Sequence, residues 1–445
     1  MRGNADALFQ QIVDHARTLR VTEVEAIFTY QSEALTRFAN NTIHQNVAER
    51  MGGVSIRPVI DGRTARAVTN RLDAASIRSA VEEAVAITRL TEPDPELLPL
   101  AEPSAFKTAD RFVAATAEAS PKHRAEAVAE AIASVESQGQ TAAGAYSTGE
   151  TELAIYNTRG VRASHRETMA KFSITAMAAD SSGWAKASAC DRQAISPRAL
   201  AENAARKAAM SAGPRELAPG RYTVILEPAA VLDLVGQMFM DFSATAIRDG
   251  RSFLNDRIGS KLFGGNILIH DDAHHREQAG APFDGEGVAR KRLTLVDGGV
   301  VREIAYSRQA AAHAGTEATG HGLPLPNEMG EVPINIVVEG GESSLERMIA
   351  GAERAILVTR LWYIREVDPY EKIFTGMTRD GTFLVERGQI VGGVRNFRFN
   401  QGLIEMLGNV EEMSASMRAS GEETFDMVVP AMRVGGFNFT EVTRF

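Results

Sequence analysis

The stretch from Tyr222 to Phe242, YTVILEPAAVLDLVGQMFMDF, decides how the rest of the chain is read. Tyr222 to Leu226 reads as a buried strand. Glu227-Pro228 turns the chain, and proline suits the first turn of a helix, where its missing N–H would have no partner. From Ala229 to Phe242 the residues Val231, Leu234, Val235, Met238, Phe239 and Phe242 recur three and four apart, which predicts one continuous helix. Asp233, Gln237 and Asp241 sit four apart on one face of it. Two carboxylates and an amide on one stripe are either the beginning of a site or the solvent side of an ordinary amphipathic helix.

Around this stretch lie 445 residues, too many for one compact core, so two or three domains are expected. With 44% hydrophobic and 24% charged residues, the composition is that of a soluble globular protein. A net charge of −9 argues against a nucleic-acid-binding surface. Cys190 is the one cysteine, which excludes an intrachain disulfide and a cysteine-cluster metal site and points to a reducing cytoplasm. The opening MRGNADALFQQIVDHA lacks the apolar core of a signal peptide, and no apolar run approaches the roughly 20 residues that span a bilayer. A cytoplasmic protein without membrane contact is expected.

Outward from Tyr222, the boundary falls in SAGPRELAPG, residues 211–220, which holds two prolines and two glycines. It divides an N-terminal domain, 1–213, from a C-terminal domain, 220–445. The first half reads as an amphipathic helix (Ala5 to Leu19) and strands over Val24–Tyr30, Ala34–Asn41 and Ile43–Glu49. A further hairpin folds around Asp61-Gly62. A helix capped by Asp73 follows, then a proline-rich crossing over 92–103, and a helix opened by Ser120-Pro121. Strands over Ala142–Ser147, Glu152–Asn157 and Gly160–Ala179 lead into an alanine-rich helix, Pro197 to Ala212. The second half has short strands and glycine turns, with further helices over Ser343–Ala355 and Gln401–Ser416. The fold class is α+β: long helices on a mostly antiparallel sheet, then a β-rich domain with a few helices.

Familiar catalytic motifs are missing. There is no GxGxxG after a strand, no GxxxxGK[ST] and no GxSxG. None of the nine histidines is followed by glutamate, which excludes an HExxH helix. His270, Asp271, Asp272, His274, His275 and Glu277 are dense enough for a transition metal, or else form a solvated loop whose neighbours cannot converge on one ion. His313 and His321 lie in a glycine-rich stretch that is either a ligand-contacting loop or a structural turn.

Phe283 to Val301, FDGEGVARKRLTLVDGGVV, resembles a signature of the TldD/PmbA (TldE) family, described as modulators of DNA gyrase and as peptidases. Thr319-Gly320-His321-Gly322 resembles the TGH/TGN loop of that family. The stretch from Val358 to Asn409 and the terminal VPAMRVGGFNF are similar to its C-terminal half, and the resemblance runs along essentially the whole chain. TldD-like members carry a zinc-binding HExxxH on the helix after the domain boundary, with a distant cysteine proposed as third ligand. TldE/PmbA-like members lack it and pair with a TldD-like chain.

Set against HExxxH, Leu232 stands at the first histidine, Asp233 at the glutamate and Gln237 at the second histidine. Leucine has no donor atom, and glutamine is a poor zinc ligand. No cysteine follows Cys190, and Ser420-Gly421 stands near the place of the distant ligand. The resemblance therefore implies a subunit with no metal and no catalytic residue of its own, and zinc in a TldD-like partner. Together the two would form a heterodimeric metallopeptidase that trims extended peptides. Asp284, Glu286, Gly287, Thr319, Gly320 and His321 are the expected substrate-cleft residues. The alternative is a homodimeric peptide-binding or regulatory protein without peptidase activity.

Overall fold

The computed structural model describes residues 5–443. Residues 1–4, part of the opening read as lacking a leader's apolar core, lie outside it. With 24% helix, 40% strand and three sheets, the chain is mixed α+β.

The first half runs α1 (Ala5–Thr18), β1 (Glu23–Ala39), β2 (Thr42–Ile60), β3 (Arg63–Thr64), β4 (Ala67–Thr69), α2 (Ala74–Leu90), α3 (Ala114–Ala117), α4 (Pro121–Glu136), β5 (Thr141–Asn157), β6 (Arg162–Met177), β7 (Ser182–Ala189) and α5 (Pro197–Met210). Its strands make one antiparallel sheet in the order β3-β2-β1-β5-β6-β7, with β4 also on β2. The expected caps form: Asp73 accepts the Ser76 N–H at 3.0 Å and Ser120 the His123 N–H at 3.1 Å. Two pairs of strands expected as separate pieces are single 17-residue strands, β1 and β5. The polar breaks at Gln31–Glu33 and 148–151 are not turns. They pair with each other in the middle of the sheet, Ser32 opposite Glu150.

The second half runs β8 (Gly220–Leu226), α6 (Pro228–Val235), α7 (Ala244–Arg248), β9 (Ile269–Asp271), β10 (Leu293–Asp297), β11 (Val300–Val301), α8 (Arg308–Ala314), β12 (Ile336–Val338), α9 (Leu345–Ala350), β13 (Arg354–Asp368), β14 (Ile373–Glu386), β15 (Gln389–Gly393), β16 (Phe397–Gly402), α10 (Leu403–Gly408), β17 (Val410–Met413), β18 (Met417–Ala419), β19 (Met427–Val429) and β20 (Met432–Val442). One sheet has the order β11-β10-β9-β12-β19-β18. The other runs β13-β8-β20-β16-β14-β15, and a β13–β14 pairing closes it on itself. The main hydrophobic core draws on both of these sheets and on α6.

The helix expected from Ala229 to Phe242 is shorter. After Val235 the chain tightens into a 3₁₀ turn, Gly236–Asp241. A Cβ at Gly236 would stand 2.5 Å from Thr424 Oγ1, so the 424–427 segment presses on the helix where it changes pitch. The helix expected over Gln401–Ser416 is α10 followed by β17, because Val410 and Met413 pair with Val434 and Met432 of β20. β7 had no counterpart in the sequence reading.

Candidate functional site

Residues 230–235 of α6 are buried on every side, as an apolar helix in a core should be. Asp233 is buried with them, so it is not on a solvent face. Its Oδ1 accepts the backbone N–H groups of Glu422 and Glu423, each at 3.1 Å. Its Oδ2 is buried without a hydrogen-bond partner. Burial pushes the Asp233 carboxyl up to about 7, against the two amides and Arg360, which pull it down, and with Glu423, which adds to the rise. Leu232 is fully buried, and its carbonyl accepts from Thr424 Oγ1 at 3.1 Å. Gln237 donates its amide to the Asp233 carbonyl at 3.1 Å. Asp241 turns elsewhere, to Lys372 at 2.7 Å and the Phe253 N–H at 3.2 Å. The three polar residues of the stripe thus go to different partners.

The segment 420–426, some 190 residues downstream, fills the space before Leu232 and Asp233. A Cβ at Gly421 would lie 2.0 Å from Asp233 Oδ1 and 2.6 Å from Leu232 Cδ2, so only glycine lets the backbone come this close. Lys186 of β7 donates to the Gly421 carbonyl at 2.5 Å and meets Glu422 at 3.2 Å. Ser188 bonds Ser420 and Asp426, each at 2.8 Å. A zinc ion does not fit this arrangement. Leu232 offers no donor, one oxygen of Asp233 is committed to two amides, and Gln237 to a helix carbonyl. Among the described residues, no group of three or more His, Cys, Asp or Glu side chains is placed to hold a metal.

Beside this filled socket lies an open cleft of about 730 Å³. One side is the first sheet, at Glu33, Glu150 and Glu167; the other is Gly421, Glu422 and Phe425. The polar breaks of β1 and β5 line it. An open groove of about 900 Å³ runs between α4 and α5 but touches none of the candidate residues.

The six residues expected along a substrate cleft do come together, in a buried junction and not along this one. Asp284 Oδ1 accepts the N–H groups of Glu286 and Val288 at 2.9 and 3.0 Å, and its Oδ2 accepts that of Gly322 at 2.8 Å. Glu286 pairs with Arg308 at 2.9 Å, and burial pushes both acids up. Gly287 lies against Val161 of the first half, and Gly320 against the Ala289 carbonyl. Thr319 Oγ1 accepts the Tyr306 N–H at 2.8 Å and stands 2.9 Å from His321 Nδ1. His321 Nε2 lies 3.0 Å from Asp271, both fully buried. Thus Asp271 of the acidic and histidine-rich run is a core residue on β9, and His270 beside it is buried as well; neither is in a solvated loop. Asp272 bonds the His274 N–H at 2.8 Å, so the run does not converge on a point. His313 is 3.0 Å from Glu96.

Sequence reasoning missed Glu423, Thr424 and Lys186. The placing of Ser420-Gly421 near a distant ligand position was the one signal toward them.

Three family profiles match the chain: PmbA/TldA metallopeptidase domain 1 over residues 24–88, the central domain over 95–212 and the C-terminal domain over 219–441. A curated protein of Methanocaldococcus jannaschii, named only as uncharacterized, is 32% identical over 126 residues, 28% of this chain and 30% of that one. Metalloprotease PmbA of Escherichia coli O157:H7 is 23% identical over 405 residues, 86% of each chain. The fold is similar to the crystal structure of TldE from Thermococcus kodakarensis, with a TM-score of 0.88 at 20% identity, over 97% of this chain and 100% of that one.

Proposed function

Since the chain belongs to the PmbA/TldA metallopeptidase family, we propose that it is a zinc-free, TldE-like subunit that works with a zinc-bearing TldD-like chain to trim extended peptides. The observation that carries this reading is the socket on α6, where Leu232, Asp233 and Gln237 replace a ligand set and Gly421 to Thr424 occupies the space. In this reading the chain performs no hydrolysis. It contributes a wall and a cleft, with the half up to residue 213 forming one side and the half from 220 the other. The cleft beside the socket suits an extended chain, because it is lined by the polar middle stretches of the long strands β1 and β5 on one side and by Gly421, Glu422 and Phe425 on the other. With Cys190 as its one thiol, the chain suits a reducing cytoplasm. Among the described residues no helix is long and apolar enough to cross a membrane.

The test is co-expression with an HExxxH-bearing relative from the same genome. The two chains should co-purify, zinc should track the partner, and peptide cleavage should need both. Failure to co-purify, or cleavage unchanged when this chain is omitted, refutes the proposal. Stoichiometric zinc in this chain alone also refutes it.

A further inference from the structure

The 420–426 segment sits in the middle of a relay. At its inner end Asp233 holds the Glu422 and Glu423 amides. At its outer end the Glu423 carboxylate accepts the N–H groups of Tyr363 and Ile364 at 2.8 and 3.2 Å. Tyr363 has φ 56°, at an irregularity in the β13–β14 register between Trp362 and Arg365. A left-handed conformation is strained for a bulky residue and persists only where its surroundings impose it. Here one carboxylate imposes it on two successive amides. The Tyr363 ring is not packed inside; it is 51% exposed, with the Arg365 guanidinium 4.2 Å from its centre. The third side of the same segment, at Gly421, Glu422, Thr424 and Phe425, faces the cleft.

We propose that Asp233 and Glu423 form a two-step latch coupling the cleft wall to the exposed Tyr363 surface. A ligand that displaces 421–426 withdraws Glu423 from β13, and the strained Tyr363 backbone relaxes to an extended conformation. The coupling is reciprocal: a partner that binds Tyr363 in its left-handed form holds the cleft wall in place. The ligand invoked is the peptide of the function proposed above. The latch itself is tested in the free chain, so its failure and the failure of that function are separate results.

Amide hydrogen exchange reads it directly. In Asp233→Ala, exchange should rise about tenfold or more at Glu422 and Glu423 and also at Tyr363 and Ile364, with the β1 and β5 amides unchanged. A rise confined to 422–423 overturns the latch. Should that variant not fold, Tyr363→Gly works from the other end. Glycine adopts φ 56° without strain, so the variant should slow exchange at 421–424. Exchange there at the wild-type rate overturns the proposal equally.

Discussion

Asp233 combines one well-used oxygen and one orphan. Oδ1 takes two amides whether or not the carboxyl carries a proton, while charge on Oδ2 has no partner to offset its burial. Burial, helped by the Glu423 carboxylate, outweighs the Glu422 and Glu423 amides and the Arg360 guanidinium that face it, raising its carboxyl to about 7. Because that lies above the unfolded value of 3.8, the folded chain binds more protons than the unfolded chain between the two. This contribution to stability is therefore present below pH 3.8 and falls as pH rises to about 7, by on the order of 4 kcal/mol from this group alone. Asp233→Asn keeps the acceptor and removes the charge. It is expected to flatten this part of the profile and to be more stable than wild type at pH 8. Urea denaturation of both proteins across pH 5–8 measures it, and parallel profiles would show that Asp233 does not titrate in this window.

At the scale of elements, α6 is held by what crosses it. The apolar spacing of Val231, Leu234, Val235 and Met238 is legible as helix, yet the pitch changes at Gly236, where Thr424 and Met427 approach. Nothing local signals that, because the crowding residues are far along the chain. Gly421→Ala places a methyl 2.0 Å from Asp233 Oδ1, against a backbone that cannot withdraw without breaking the amide pair. It is expected to cost about 1–3 kcal/mol, as overpacking does. Amide exchange should show loss of protection across 420–426. A variant with wild-type melting and protection would mean that the segment is not pinned. β1 and β5 teach a related lesson. Gln31-Ser32-Glu33 and Thr148-Gly149-Glu150-Thr151 look like turns because polarity interrupts the alternation. They are mid-strand residues, and all but the buried Thr148 line an open cleft.

At the scale of the whole molecule, the two halves are joined by buried charge. Glu25 of β1 bonds Arg57 at 2.9 Å and Arg66 at 2.5 Å, and Arg66 reaches on to the Leu325 carbonyl. Burial alone would raise the Glu25 carboxyl, but the two guanidinium groups hold it below its usual value. Arg111 crosses in the same way to the carbonyls of Ala273 and Gly280. Removing one partner from such a pair leaves a buried charge uncompensated, so Glu25→Gln is expected to cost about 3–5 kcal/mol. Chemical denaturation checks it; a loss under 1 kcal/mol would mean that Arg57 and Arg66 find water. No zinc contributes to this architecture in the reading above. A chelator should therefore leave the melting temperature of the isolated chain unchanged, and a drop in calorimetry would reveal a structural metal.

Where helices start is legible in the sequence, since caps, apolar periods and turn dipeptides act within a few residues: Asp73 and Ser120 start helices wherever the chain lies, whereas β7 and β17 have no such local signal. The sequence also leaves α6 without a histidine or a cysteine, and Leu232 has no donor atom in any conformation. What packs against α6 instead is set by long-range contacts. That Gly421 lies on Asp233, that Glu423 holds Tyr363, and that Asp284, Glu286 and His321 are buried at a junction depend on contacts between residues tens to hundreds of positions apart. Such contacts leave no local period to read. They are decided by which surfaces close upon one another once the sheets have formed.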